Sequence, residues 1–158
     1  MGLKELKLEL NKMDKSEILK LISEMYKKIP RVKEYLDVFA SGDIQQLAKK
    51  YKLQVEKYVY PSGYEMVLND KEARKLIQNI RKMKILELNI ELELHYVKCC
   101  LETIRDFGYW DNGYYNNIVK MYNSALIGIA ETGLEKKYEE QLISICTDAQ
   151  EYDIQLDY

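Results

Sequence analysis

The fold class depends on residues 86–107, which read LELNIELELHYVKCCLETIRDF. From Leu86 to Leu94 every second residue is apolar, which is the period of a strand. Beyond Leu94 the apolar residues recur at three-and-four spacing as far as Ile104, and Glu and Leu form helices more readily than strands. We therefore predict one helix over residues 86–107. Because its apolar residues lie on more than one side, we expect this helix to be central in the core.

Helix-start and helix-stop signals punctuate the rest of the chain. Three pairs of residues have the spacing of a capping box, in which two residues three apart bond to each other's backbone: Asp14 and Glu17, Asp43 and Gln46, and Asn69 and Glu72. Pro30 fits the first position of a further helix, and Gly42, Gly108 and Gly133 are expected to end helices. The alternative for residues 55–68 is a hairpin turning at Pro61.

The predicted elements give an all-α fold. Counting a short first helix from Leu3 to Leu10, we expect about six or seven helices, joined by short links into an irregular antiparallel helix bundle or a short right-handed α-superhelix. The 158 residues are 47% hydrophobic and 32% charged, which predicts a single soluble domain over residues 1–158. No apolar run is long enough to span a membrane and the N-terminus lacks a signal-peptide pattern, so we expect a cytoplasmic protein.

Residues that commonly carry catalysis are scarce. His95 is the only histidine, the glycines form no phosphate-binding loop, and the three cysteines contain no C-x-x-C pair. The sequence therefore favours a protein without catalytic residues, metal or cofactor. Two alternatives stay open: Glu91 and His95 as an acid–base pair, and His95 with Cys99, Glu91 and Cys146 as ligands of one metal.

Residues 25–35 read MYKKIPRVKEY. This segment resembles the signature Leu-Tyr-x-Lys-Phe-Pro-x-Val-Lys-Glu-Tyr of a family of small bacterial proteins classed as a domain of unknown function. Residues 72–77, EARKLI, and the pair Tyr115-Asn116 match the same family in the same order. The resemblance implies a bacterial, cytoplasmic, all-helical protein, and it brings no catalytic residue with it.

Aromatic residues are concentrated around residues 107–117, in a chain with 14 tyrosines, one tryptophan and two phenylalanines. Aromatic side chains with a polar tip are enriched at protein interfaces. We therefore predict that Tyr109, Trp110 and Tyr114 anchor a partner protein at the rim of a groove, which makes the chain a protein-interaction module. The alternative is structural, with Tyr115 in the core and Trp110 closing the end of the bundle.

Charge is divided unevenly along the chain. Residues 1–84 carry 19 Lys/Arg and 12 Asp/Glu, a net charge of +7, whereas residues 85–158 carry 5 and 14, a net charge of −9. The basic part suggests an alternative function, nucleic-acid binding, through residues on one helix: Lys71, Arg74, Lys75, Arg81 and Lys82. The competing interpretation is that the two parts pair with each other, within one chain or between chains through self-association.

Overall fold

The computed structural model describes residues 2–61, 68–108 and 111–157, and within these ranges the chain forms eight α-helices and no strand. Their bounds are α1 Leu3–Leu10, α2 Lys15–Lys28, α3 Pro30–Ser41, α4 Gln45–Val59, α5 Asp70–Arg81, α6 Leu86–Phe107, α7 Asn112–Thr132 and α8 Glu135–Gln150. The all-α class is confirmed. The expected count of six or seven, which already includes the short α1, is too low, because seven longer helices form besides it in the described ranges. None of the described helices combines the length and apolar character needed to cross a membrane.

The chain divides into two compact units, residues 1–43 and residues 44–158, where the sequence predicts a single domain over residues 1–158. Helices α1, α2 and α3 contain no buried residue, whereas each helix from α4 to α8 contributes buried residues. The second unit therefore holds the hydrophobic core.

In the first unit, the local signals read from the sequence are confirmed. The Asp14 carboxylate accepts from the Glu17 N–H at 2.8 Å and the Glu17 carboxylate accepts from the Asp14 N–H at 2.8 Å, so the capping box at α2 is complete. Pro30 occupies the first turn of α3, and Gly42 ends that helix with a φ of 68°, a left-handed conformation that glycine adopts without strain.

The segment that resembles the bacterial family joins α2 to α3. The Tyr26 hydroxyl donates to the Asp37 carboxylate at 2.8 Å, and the Lys33 ammonium donates to the same carboxylate at 2.8 Å. The hydrogen bond from Lys33 lowers the pKa of Asp37, and the same bond raises the pKa of Lys33 to about 12. The bond from Tyr26 therefore connects α2 to α3 across Pro30, and the bond from Lys33 holds the shared carboxylate within α3.

Helix α6 is the centre of the second unit, as predicted. It has the bounds expected from the sequence, and α4, α5, α7 and α8 each pack against it. Leu88, Ile90, Leu92 and Leu94, which alternate in sequence, are all fully buried. A single helix buries all four because its neighbours surround it on several sides.

Two of the predicted helix starts differ in detail. Helix α4 begins at Gln45, with Ile44 as the N-cap residue, so it starts one residue later than the predicted Asp43 cap implies. Ile44 is only 6% exposed and belongs to the hydrophobic core. Helix α5 begins after Asn69 as predicted, but the Asn69 side chain makes no capping bond. In the region of the alternative hairpin, the chain is helical up to Val59, and residues 62–67 lie outside the described ranges.

Helices α6 and α7 approach closely at Gly128. A Cβ atom added to Gly128 would lie 3.0 Å from Cγ1 of Ile90, a fully buried side chain. Glycine inside a helix costs about 0.5–1 kcal/mol relative to alanine, whereas forcing an extra methyl group into a packed core costs about 1–3 kcal/mol. The packing cost is the larger of the two.

We therefore expect Gly128→Ala to lower the free energy of unfolding by about 1 kcal/mol, measured by urea denaturation. Ile127→Ala is the control, because Ile127 is next to Gly128 in the chain and is 62% exposed. Loss of this exposed side chain is expected to change the free energy of unfolding by no more than about 0.5 kcal/mol. A Gly128→Ala protein more stable than the parent would show that helix propensity outweighs this contact.

Candidate functional site

A buried carboxylate joins three helices of the second unit. Glu93 on α6 is 3% exposed, and its Oε1 atom accepts from Arg81 Nε at 2.8 Å and from Arg81 Nη2 at 2.6 Å. The Ser124 hydroxyl of α7 donates to the same oxygen at 2.9 Å. Burial raises the pKa of Glu93, and the charge and hydrogen bonds of Arg81, with the bond from Ser124, oppose that rise. The three side chains therefore form one compensated polar cluster inside the unit.

Three of the five residues predicted to contact nucleic acid are ion-paired within the chain. Besides Arg81, Arg74 pairs with Asp70 and donates to the Tyr96 hydroxyl at 3.1 Å. Lys75 pairs with Glu72 at 2.8 Å. Lys71 and Lys82 are exposed and form no ion pair with any described residue. The basic face is thus mostly neutralised by the chain's own carboxylates.

The two residues of the alternative acid–base pair, Glu91 and His95, lie in different environments. Glu91 accepts from Lys52 and, at 2.7 Å, from the Tyr138 hydroxyl. Burial acts to raise the pKa of Glu91, but the hydrogen bonds of Lys52 and Tyr138, with the nearby positive charges, hold that pKa below its usual value. No hydrogen bond joins Glu91 to His95 in the described part of the chain. Glu91 is therefore an ionised, fully engaged carboxylate.

His95 faces a different cleft, between α4 and α6. This cleft has a volume of about 320 Å³, and its lining includes Lys52 and Glu56. His95 Nε2 lies 3.9 Å from a Glu56 carboxylate oxygen and makes no hydrogen bond to a described residue. Burial lowers the pKa of His95, the charges of Lys52 and Lys98 lower it further, and Glu56 opposes them. The imidazole is consequently neutral at pH 7.

The cysteines are buried rather than presented to a ligand. Cys99, Cys100 and Cys146 are free and buried, and burial raises the pKa of the Cys99 thiol above its usual range and that of Cys100 to about 12. The Tyr122 hydroxyl lies 3.2 Å from the Cys146 sulfur. Within residues 2–61, 68–108 and 111–157, no group of three His, Cys, Asp or Glu side chains is placed to hold a metal.

Of the three predicted aromatic anchors, Tyr109 and Trp110 lie outside the described residues. Tyr114 is 4% exposed and its hydroxyl donates to the Cys100 carbonyl at 3.3 Å, so it lies in the core and not at the rim of a groove. The Asp111 carboxylate accepts from the Tyr114 N–H at 2.8 Å and caps α7. The helix therefore starts at Asn112, and Tyr114 falls on its buried side.

An aromatic cleft does form one residue further along α7. It has a volume of about 530 Å³ and lies between α7 and the segment that follows α8; we call it the C-terminal cleft. It is lined by Tyr115, Asn116, Val119, Tyr152, Asp153, Ile154 and Gln155. The alternative to the predicted aromatic surface places Tyr115 in the core, and none of the sites predicted from the sequence includes Tyr152. The sequence signal for Tyr152 is an aromatic residue between the acidic residues Glu151 and Asp153.

No protein-family model matches this chain, and comparison with curated proteins and with solved structures found no significant match. The resemblance of residues 25–35 to the uncharacterised bacterial family therefore stays a prediction.

Arg81→Ala is expected to lower the free energy of unfolding by about 3 kcal/mol at pH 7.5, because it leaves Glu93 charged and buried without a partner. Burial places the folded-state pKa of Glu93 above its ordinary value of 4.5, and removal of Arg81 raises it further. The folded variant then binds a proton more readily than the unfolded chain, so its stability should recover as the pH falls toward 5. Urea denaturation at the two pH values measures this difference.

Lys82→Ala is the matched control for Arg81→Ala. It removes the charge of the next residue in the chain, which is exposed and forms no ion pair with a described residue. We expect it to change the free energy of unfolding by no more than about 0.5 kcal/mol at either pH. An Arg81→Ala loss that is equal at pH 5 and pH 7.5 would contradict the role assigned to Glu93.

His95 is expected to make the protein less stable as the pH falls below 6.5. Its folded-state pKa lies below the ordinary value of 6.5, so the unfolded chain takes up the proton more readily in this window. Because the chain has one histidine, proton NMR titration of its ring reports this pKa directly. His95→Gln should lose that part of the pH dependence between pH 7.5 and 5.5. A ring pKa at or above 6.5 would refute the assignment.

Proposed function

We propose that this chain is a non-catalytic protein-interaction module that works in the cytoplasm. In this proposal α4 to α8 form an irregular antiparallel bundle, and the C-terminal cleft receives a short segment of another protein. The observation that carries the proposal is that two tyrosines from different parts of the chain, Tyr115 and Tyr152, line one cleft of about 530 Å³.

The chemistry of the C-terminal cleft suits a peptide. Tyr115 and Tyr152 offer rings with a polar tip, Val119 and Ile154 add apolar surface, and the amides of Asn116 and Gln155 can bond to a peptide backbone. Sites of this kind derive most of their affinity from a few aromatic anchors, which bury a large area at a small cost in conformational entropy.

The negative charge at the C-terminal cleft narrows the chemical class of peptide that can bind there. Asp153 is the one charged residue among the described residues that line the C-terminal cleft, and Glu151 and Asp157 lie near it in the chain. A carboxylate at the rim of an interface favours a partner with a nearby cation and disfavours an acidic one. We therefore propose that the bound segment has apolar residues followed or preceded by a Lys or Arg.

The first unit gives separate support for a role in protein contacts. Large apolar side chains of α2 and α3 are exposed, including Ile22 at 41%, Tyr35 at 46% and Phe39 at 78%. Exposed apolar side chains on neighbouring helices are typical of surfaces that contact other proteins. Such a contact includes self-association of the chain, which is one interpretation of its uneven charge.

The second candidate function is nucleic-acid binding through α5. Lys71 and Lys82 are its best support, since both are exposed and form no ion pair with a described residue. Arg74, Lys75 and Arg81 are ion-paired within the chain, which reduces the charge available to phosphates. Because affinity for nucleic acid rises with the number of phosphates neutralised, the geometry favours the interaction module.

Site-specific crosslinking tests the C-terminal cleft. A photoreactive residue at Gln155, which lines the cleft and is exposed, should crosslink to a partner protein in a cell lysate. Tyr152→Ala should reduce that product at least about tenfold, because truncation of an anchor typically costs 2 kcal/mol or more. Trp110→Ala tests in the same assay whether the anchor predicted from the sequence contributes.

Two controls accompany this experiment. A photoreactive residue at Glu140, exposed on α8, should not give the same product, and Tyr58→Ala, which removes an exposed tyrosine of α4, should leave the yield unchanged. The same yield from the parent and from Tyr152→Ala, with both proteins folded by circular dichroism, would remove the C-terminal cleft as the binding site.

A further inference from the structure

A second cleft of about 300 Å³ lies between α5 and α7, which both pack on α6. It is lined by Arg74, Gln78 and Arg81 from α5 and by Asn117, Lys120, Met121 and Ser124 from α7. On each helix the polar residues are spaced three or four apart, so they lie on one face. We call this the α5–α7 cleft.

The lining of the α5–α7 cleft carries three cations and no carboxylate among the described residues. The partners of Arg74 and Arg81, which are Asp70 and Glu93, do not line the cleft, and Glu93 is 3% exposed. Lys120 is exposed and forms no ion pair with a described residue. Three cationic side chains therefore line this opening, and the carboxylates that pair with two of them are not among its lining residues.

Both guanidinium groups keep donors available in the described part of the chain. Arg74 uses Nη1 for Asp70 and Tyr96, which leaves Nε and Nη2. Arg81 uses Nε and Nη2 for Glu93 and Ser124, which leaves Nη1. Because these partners already hold the side chains, an arriving anion loses little free energy to ordering them.

From this geometry we propose that the α5–α7 cleft binds a small phosphomonoester. A phosphate group has three terminal oxygens and a charge near −2 at neutral pH, and it accepts charge-assisted hydrogen bonds from several donors at once. Lys120 supplies a charge without an ion pair in the described ranges, Arg74 and Arg81 supply the guanidinium donors that their carboxylate partners leave, and the side-chain amides of Gln78 and Asn117 supply further donors. A volume of about 300 Å³ suits a compact ligand and lies at the lower end of small-molecule sites. This inference does not depend on the proposed function of the C-terminal cleft.

The test is a titration of the full chain with inorganic phosphate and with glycerol 1-phosphate, at fixed ionic strength in chloride, followed by proton–nitrogen NMR. The expected shifts are saturable and centre on the amides of α5 and α7. Lys120→Gln should weaken the affinity for both probes at least tenfold. Since Lys120 is exposed and lacks an ion pair to described residues, this variant is expected to fold as the parent does.

Lys136→Gln is the matched control, because it removes an equal charge from an exposed position on α8 and should bind as the parent does. Asn117→Leu is a second cleft variant that keeps the net charge and should also weaken binding. Equal weakening by Lys120→Gln and Lys136→Gln, or no saturable shift with either probe, would overturn the proposal. Binding of a 12-nucleotide single strand without binding of the small phosphates would overturn it in favour of nucleic acid.

Discussion

The carboxylate of Glu93, buried in the helix that organises the second unit, is the constraint on which the positions of its neighbours depend. A charge removed from water destabilises the fold strongly unless a partner compensates it. Arg81 reaches it from α5 and Ser124 from α7, and both bond to the same oxygen. One buried oxygen therefore sets where α5 and α7 sit along α6. Glu91, two residues earlier, does the same for α4 and α8 through Lys52 and Tyr138.

The helices that surround α6 on several sides also explain the strand-like pattern of residues 86–94. Successive residues of a helix are rotated by about 100°, so Glu91 and Glu93 lie on nearly opposite sides of α6. Apolar residues between them, such as Ile90 and Leu92, are fully buried against helices on several sides. The alternation therefore arises from a helix that is enclosed, and it was the three-and-four spacing beyond Leu94, together with the composition rich in Glu and Leu, that predicted the helix correctly.

The sequence allowed the helices to be predicted better than the site, for a physical reason. Local signals such as the Asp14 capping box and Pro30 act within one turn, and they place helix ends without knowledge of the rest of the chain. They are less exact at α4, which starts one residue later than the predicted Asp43 cap implies and has the buried Ile44 as its N-cap residue. Which side of α7 a tyrosine occupies depends on the residue at which that helix starts, so the Asp111 cap buries Tyr114 and leaves Tyr115 beside the C-terminal cleft.

The two clefts flank the buried stripe of α7 on opposite sides. At 100° per residue, Tyr115 and Val119 lie to one side of the stripe marked by Ile118 and Tyr122, whereas Lys120 and Ser124 lie to the other. The aromatic side collects the acidic C-terminal residues, and the polar side collects cations from α5. Arg81 belongs both to the packing of the second unit and to the α5–α7 cleft, because it bonds to the buried Glu93 and also lines that cleft. The pair that joins α5 to α6 therefore also fixes a cationic side chain at the surface, which links the stability of the second unit to the chemistry of this cleft.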